Sequence, residues 1–592
     1  MPTIPETLAV AVREHQAGRL DAAEQIYRQV LEIEPEQFDA LHLLGLICHA
    51  TGRHATAFDL LARAVRRKPD FPDIHFNLGK VLQEQGRLDD AVASYRRGLL
   101  LGPDRPERYH FNLGDVLREQ GQWDAAAACY RQAIQVRPDY VKPYVNLGNV
   151  LLEQLKPAEA AECFEKALQL EPQSANAHVN LAIALRELGR LEEAAGHCDF
   201  ALRLDPQSAE ARNNLGTVLL DQGKLEDALA NFREATRMRA DYPKAWNNLG
   251  AALLEQGNLR EAMAAVEEAI RRKPDFADAH LSRAILWLLS GDFEQGWPEY
   301  AWRLKTSEGS VPPLRQAVWD GSPLAGRTLL LCAEQGLGDT FQFIRYAAKI
   351  HEAMSPGRII LACPRSLHPL LRSCRGVDQL VDAVPADFDF DVYAPLLDLP
   401  AIFRASHGSV PAEVPYLAAD PQLVQRWRAE LRGVEGLKVG IAWQGNPKYR
   451  WDRLRSLPPG CFEPLGRIDG VRLISLQKGA GAAQARSLAD RLPLVDLGRG
   501  LDEQSGAFMD TAAVMKNLDL VITSDTAIAH LAGALGVPVW VALPWVPDWR
   551  WLMDRGDSPW YPTMRLYRQT TAGDWVGVFQ EMQASLAAVE KK

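Results

Sequence analysis

Along roughly the first half of the chain, small and apolar positions return in a fixed register about 34 residues apart, with polar residues between them. Alanines stand at Ala23, Ala57, Ala91, Ala126, Ala160, Ala194, Ala228 and Ala262. Aromatic residues follow four positions later at Tyr27, Tyr95, Tyr130, Phe164 and Phe232. Prolines close the units at Pro35, Pro69, Pro103, Pro138, Pro172, Pro206 and Pro274, and Ala240 holds the one missing slot. The pattern predicts one helix pair per unit. A Leu-Gly on the first helix lets the second approach closely, and the alanine lies where a larger side chain would clash. The proline ends the second helix. Eight units fit from about residue 4 to 276, and a degenerate ninth, GDFEQGWPEYAWR, follows. Its Trp and Tyr residues suit a seal between the last unit and the next domain.

This period, with Leu-Gly, Gly, Ala, Tyr/Phe, Ala and Pro at these offsets, resembles the tetratricopeptide repeat. The resemblance implies a superhelix in which neighbouring units bury one another's apolar faces around a concave groove. One polar position also keeps the register. Asn77, Asn112, Asn146, Asn180, Asn214 and Asn248 each precede a Leu, at spacings of 35, 34, 34, 34 and 34 residues. A primary amide offers donors and an acceptor, so such a column could pair with the backbone of an extended peptide. Asn is also common here in the repeat consensus, and both readings stand. The column is similar to the asparagine ladder of the eukaryotic O-GlcNAc transferases, which implies a track for an acceptor protein.

Past residue 305 the period stops, and SEGSVPPLRQAVWDGSPLAGR reads as a linker. TLLLC, RIILACP, LKVGIAW, VRLISLQ, LDLVITS and VPVWVALP are then continuous apolar runs separated by helical stretches such as TFQFIRYAAKIHEAM. Such runs predict parallel sheets covered on both faces, with ligands outside the carboxyl ends of the strands. The expected organisation is α + α/β: repeats over 1–306, a linker over 307–325, a short first α/β lobe over 326–420 and a second over 421–592.

Composition narrows the function. With 47% apolar and 24% charged residues this is a soluble globular chain. A net charge of −10 speaks against a nucleic-acid partner. The opening MPTIPETLAVAVREHQAGRL carries no secretory leader. No apolar run approaches the ~18 residues of a membrane span. Eight scattered cysteines without a Cys-x-x-Cys pair fit a reducing cytoplasm better than disulfides or a zinc site.

Three strand ends carry candidate chemistry. In EQGLGDTFQF, Gln335, Gly336 and Gly338 form a Gly-rich turn before Asp339, whose carboxylate is also suited to capping the helix. In GIAWQGNPKYRWDRLRSLP, Gln444, Gly445, Asn446 and Pro447 precede Lys448, Arg450, Arg453 and Arg455, a set that suits an anion or forms a solvated basic loop. In LDLVITSDTAIAHLAGALGVPVW, Ser524, Asp525 and Thr526 open a small-residue helix whose amides suit an anion. His530 lies one turn on, as a ligand contact or as a packing residue.

The GLGD turn and the SDTAIAHLAGALGVP segment together resemble the bacterial heptosyltransferases, metal-independent glycosyltransferases with two facing α/β lobes, the GT-B fold. The resemblance covers about residues 326 to 590. It implies that Asp339 is the general base and that Asp525, Thr526 and His530 hold the donor's phosphates and sugar. It places Arg455 on a donor phosphate, and Gln477 and Lys478 of SLQKG near the nucleotide. The first lobe is short for this fold. Asp387, Asp389 and Asp391 of DFDFDVY alternate as on one face of a strand, and no metal is expected there.

Repeats joined to such a domain resemble the layout of the O-GlcNAc transferases and of bacterial flagellin-modifying glycosyltransferases. The expected function is therefore protein O-glycosylation, with flagellin as the acceptor on the repeats and no cofactor beyond the nucleotide-sugar substrate. That donor is a CMP-linked nonulosonic acid, such as pseudaminic acid, or a UDP- or ADP-sugar. The alternatives are a transferase acting on lipopolysaccharide or another glycan, and a repeat scaffold with an inactive transferase half.

Overall fold

The computed structural model describes residues 3–306, 309, 314–385, 388–406, 408–447, 449, 451–497 and 500–590. Asp387, Lys448 and Arg450 of the motifs above lie outside them. The chain divides into two compact units, Met1–Arg239 and Ala240–Lys592.

The first unit consists of seven helix pairs, from Ile4–Gln16 with Leu20–Ile33 to Ala209–Asp221 with Leu225–Met238. The Leu-Gly glycine is a notch for a side chain on the second helix of its own pair, an aromatic ring at Gly79, Gly114, Gly148 and Gly216 and Leu61 at Gly45. A β-carbon at Gly79 would lie 2.8 Å from the Tyr95 ring, one at Gly114 2.7 Å from Tyr130 and one at Gly148 2.5 Å from Phe164. The alanines in register on the second helices are fully buried.

Within a pair the chain turns through a left-handed residue, and Gly18, Gly52, Gly86, Gly121, Gly189 and Gly223 hold φ between 72° and 77° there. The fifth pair has Leu155 in that slot, at φ 58° and 88% exposed. A β-carbon in this conformation costs about 1–2 kcal/mol, and the exposed side chain buries almost nothing in return. Leu155→Gly is expected to stabilise the chain by roughly 0.5–1 kcal/mol after the entropy of the added glycine is deducted. A higher denaturant midpoint at unchanged slope would show it, and a lower midpoint would refute it.

The second unit opens with two more helix pairs, Pro243–Gln256 with Leu259–Arg272 and Ala277–Ser290 with Phe293–Tyr300. Two wholly parallel sheets follow. The first holds β1 (Ala317–Val318), β2 (Thr328–Cys332), β3 (Arg358–Ala362), β4 (Gln379–Val381) and β5 (Val392–Pro395), in the order β1-β5-β2-β3-β4. The second holds β6 (Leu437–Ala442), β7 (Val471–Ser475), β8 (Leu494–Asp496), β9 (Leu520–Ser524), β10 (Val539–Leu543) and β11 (Met564–Arg568), in the order β11-β10-β9-β6-β7-β8. Read from β8, this is the order of doubly wound dinucleotide-binding sheets. The order reverses between β2 and β5 in one sheet and between β6 and β9 in the other.

Two details depart from the sequence reading. Ala317–Val318, within the stretch read as a linker, pairs with β5 as an edge strand. The DFDFDVY alternation is not a strand face: the strand begins only at Val392, and Asp389 lies in irregular chain. Asp391 instead accepts the Thr328 N–H at 2.7 Å and ties down the start of β2.

Aromatic residues of the ninth helix pair enter the core shared by both sheets. Trp297 lies 5.2 Å from Trp549, and its indole N–H donates to the Ala405 carbonyl at 2.9 Å. Directly after it, Arg303, 3% exposed, forks onto Glu334 at the end of β2 and reaches Asp398 beyond β5, with Nη1 2.8 Å from Oδ1. The order reversal of the first sheet, where such a fold admits a ligand, is therefore occupied by the chain's own ion pair.

Candidate functional site

The reversal of the second sheet carries a different set of groups. Beyond β6 the chain turns out through Trp443, Gln444 and Gly445. A β-carbon at Gly445 would lie 2.8 Å from Arg455 Nη2, 3.1 Å from Asp452 Oδ1 and 3.3 Å from Thr526 Cγ2. The missing side chain thus brings Arg455 and the start of the helix Ala527–Ala534 onto one turn. Arg455 is held by buried Asp452, Nε to Oδ1 3.2 Å, and lies 4.5 Å from the centre of the Tyr449 ring.

Gln477 does not face outward. Its Oε1 accepts the N–H groups of Trp443 and Gln444, both at 2.9 Å, and its Nε2 donates to the carbonyls of Gln444 and Lys478. Its amide is committed to joining the ends of β6 and β7. The Lys478 ammonium donates to the Leu501 carbonyl. Gln444 is half-buried and Asn446 exposed on the same turn.

At the end of β9, Ser524 is fully buried, and its Oγ has no hydrogen-bond partner among the described residues. Asp525 is buried beside it. Burial and Asp548 push its carboxyl up to about 6, against the pull of Arg455, the Trp551 indole and Arg550. His530 stacks on Trp551, ring centres 5.3 Å apart, and its Nδ1 lies 3.0 Å from the Tyr561 hydroxyl. Burial first, and then Arg550, Arg345 and Arg455, hold its ring well below the usual histidine range, so it is neutral near pH 7.

Beyond β2, the Asp339 carboxylate does two things. One oxygen accepts the Gly336 N–H at 2.8 Å, the capped turn expected from sequence, and the other takes a hydrogen bond from Arg550. The side chain is 15% exposed. Burial raises its carboxyl above the ordinary aspartate value, although Arg550 and the Gly336 N–H pull it back. A β-carbon at Gly338 would lie 2.8 Å from His530 Cδ2. The glycine therefore lets the GLGD turn dock on the helix that carries His530, and two motifs read separately in sequence meet here.

Sequence reasoning missed Arg550. Besides Asp339, its guanidinium donates to Gln342 Oε1 at 2.9 Å and Asp548 Oδ1 at 2.8 Å. Arg345 was missed too. It is 4% exposed and satisfied by the carbonyls of Pro411 and Trp560 and by the Tyr416 hydroxyl. For Arg550 the one sequence signal was the density of Trp and Arg in DWRWLMDRGDSPWYPTMRLYRQ, from which no partners can be read.

The asparagine column lies closer to the helices than an open track requires. Asn77 meets His42 at 2.8 Å, and Asn146 donates to Asp115 at 2.8 Å, each reaching back to the preceding pair. Asn112 and Asn214 donate to carbonyls one turn back, Arg108 and Glu210. Asn180 and Asn214 are 8% and 6% exposed, and Asn248 lies in the second unit. Among the described residues no cluster of three or more His, Cys, Asp or Glu could hold a metal, and no helix is long and apolar enough to cross a membrane.

Two family models match the chain: the tetratricopeptide repeat over residues 13–72, and the C-terminal domain of cilia and flagella-associated protein 70 over residues 72–285. Protein FlbA of Caulobacter vibrioides is 29% identical over 321 residues, 50% of this chain and 52% of that protein. Tetratricopeptide repeat protein 7A of Homo sapiens is 33% identical over 89 residues, 15% of this chain and 10% of that protein. The protein O-mannosyl-transferase TMTC1 of Mus musculus is 30% identical over 96 residues, 16% and 10%. The chain thus spans about half the length of FlbA and about a tenth of the other two. Among solved structures, TTC0263 of Thermus thermophilus, a thermophilic tetratricopeptide-repeat protein, is 25% identical, with a TM-score of 0.29 over 31% of this chain and 100% of that one. YrrB, a repeat protein with an unusual peptide-binding site, is 26% identical, with a TM-score of 0.24 over 29% and 88%. This chain is a tetratricopeptide-repeat protein with a parallel α/β C-terminal part.

Proposed function

We propose that the chain is a protein O-glycosyltransferase of GT-B type, in which the repeats capture an acceptor protein and the α/β part transfers a sugar from a nucleotide-sugar to its Ser or Thr. The observation that carries this reading is the convergence of Asp339 with the Asp525–His530 segment through the Gly338–His530 contact, beside Arg455 at the sheet reversal. In this reading the donor's phosphate lies against Arg455 and the amides opening the helix Ala527–Ala534, where cation and helix dipole both favour an anion. The acceptor hydroxyl oxygen forms a bond to the anomeric carbon as the bond from that carbon to the phosphate oxygen breaks. The leaving electron pair goes to the phosphate, and the hydroxyl proton goes to Asp339. Neutral His530 adds a polar contact without adding charge. The flagellin acceptor rests on the resemblance to flagellin-modifying transferases. One observation favours a second reading, a small glycan acceptor: Asn180 and Asn214 are too buried to line a peptide track without local rearrangement.

The donor is tested by thermal stabilisation with CMP, UDP and ADP. A nucleotide at a hundredfold excess over its Kd stabilises by about 2.7 kcal/mol. The expected result is a rise with one of the three, and no rise with any of them rejects the donor site. The same site has a pH signature. Asp525 gains a proton as pH falls through about 6, so the pocket gains positive character and holds anions more tightly. The ratio of nucleotide affinity at pH 5.5 to that at pH 7.5 should be several-fold larger in the wild-type chain than in Asp525→Asn, the ligand's own protonation cancelling between them. Equal ratios would place Asp525 away from the phosphate.

A further inference from the structure

We propose that Arg550 is a donor-sensing latch: it neutralises Asp339 while the donor site is empty, and a donor phosphate draws it off, so that the base is freed only when there is a sugar to transfer. The proposal rests on the donor-site reading above.

Three observations carry it. First, the guanidinium is divided between the two lobes. It binds Asp339 and Gln342 of the helix Leu337–Phe343 and Asp548 of its own loop, and none of the three carboxylate and amide partners is bound to it alone by a rigid fork. Second, Arg550 lies beside the proposed phosphate pocket: its chain neighbour Trp551 stacks on His530, ring centres 5.3 Å apart, and the Arg550 charge reaches Asp525 and His530. Asp452 holds Arg455, and Asp339 and Asp548 hold Arg550, so an incoming phosphate must compete for cations that carboxylates already hold. Third, the backbone two residues on is strained. Leu552 has φ 56° and ψ −178°, a region essentially reserved for glycine. Arg568 holds it there by donating to the carbonyls of Trp551 at 2.6 Å, Leu552 at 2.8 Å and Arg555 at 2.8 Å. A strained turn beside a shared cation is the kind of element that has a second arrangement within reach.

The groups facing the Asp339 carboxylate are Arg550, the Gly336 N–H, Asp548 and Tyr300. Of these only Arg550 holds the proton off, apart from the fixed amide. Its departure in the donor complex therefore raises the pH at which the base loses its proton. This predicts a split in the pH profile. The acid limb of kcat/KM, which reports the free enzyme, lies at lower pH than the acid limb of kcat, which reports the complex.

The test uses the full chain with the nucleotide that stabilises it, and compares wild type with Arg550→Gln and Arg550→Lys. Arg550→Gln is expected to lose about tenfold or more in nucleotide affinity and to move the kcat/KM limb up to the kcat limb, leaving the latter in place. Arg550→Lys is expected to recover part of the affinity and part of the split; it also decides the matter if the Gln variant fails to fold. A purely structural Arg550 would move neither limb. Coincident limbs in the wild type, or nucleotide affinity equal in wild type and Arg550→Gln, overturn the latch and leave the donor site standing. No nucleotide bound by the wild type overturns both.

Discussion

Asp339→Asn is expected to slow sugar transfer by about 10²–10⁴-fold, the range a positioned base supplies, with no loss of nucleotide affinity. The substitution keeps the shape of the side chain and one acceptor oxygen, so the turn at Gly336 or the contact with Arg550 survives. What it removes is the capacity to take a proton. The donor phosphate is assigned to Arg455 and the helix start at Ala527, neither of which touches Asp339, and to Arg550 only once it has left Asp339. Loss of the negative charge should even loosen Arg550 and favour the phosphate. Single-turnover transfer and nucleotide titration on the same preparation separate the two effects. Transfer at the parental rate would remove Asp339 as the base, and nucleotide affinity falling in step with rate would make its role structural.

Arg303→Met is expected to destabilise the chain by about 3–5 kcal/mol, because it leaves buried Glu334 and half-buried Asp398 without their cation. The sign of the pH dependence is fixed. Burial already holds Glu334 above its ordinary value even with Arg303 beside it, and without Arg303 it rises further. A carboxyl whose folded-state pKa exceeds its unfolded value binds a proton first in the folded state. The deficit of the variant should therefore shrink as pH falls from 8 toward 5, and Glu334→Gln in the same background should reduce it at pH 8. Denaturant unfolding at the two pH values measures it. A deficit below about 1 kcal/mol, or one that grows on acidification, would show that the triad is not an obligate pair.

The repeats were legible because a periodic pattern is read many times over. Gly79, Gly114, Gly148 and Gly216 each receive a ring from their own pair at the same offset. Strands buried on both faces, such as β9 and β10, were legible as continuous apolar runs. The shorter strands were not: β1 has two residues, β4 and β8 three each, too few to carry a pattern. Alternating aspartates misled at DFDFDVY, where Asp391 binds a backbone amide instead of lining a strand. At the site, residue type and strand-end position singled out the turns that carry Asp339, Arg455 and Asp525, and only the heptosyltransferase resemblance gave those residues roles. They could not distinguish Gln477, whose amide is used up by backbone, from a ligand contact. Arg550 and Arg303 were invisible because their partners lie 211 and 31 residues away, and only the fold brings them together.

The most direct measurement is the intact mass of flagellin produced in the presence of the wild-type chain, of Asp339→Asn and of neither. Protein O-glycosylation predicts added mass in whole sugar units with the wild-type chain alone. Identical flagellin masses in all three samples, above all if a glycan or lipopolysaccharide species shifts instead, would contradict it.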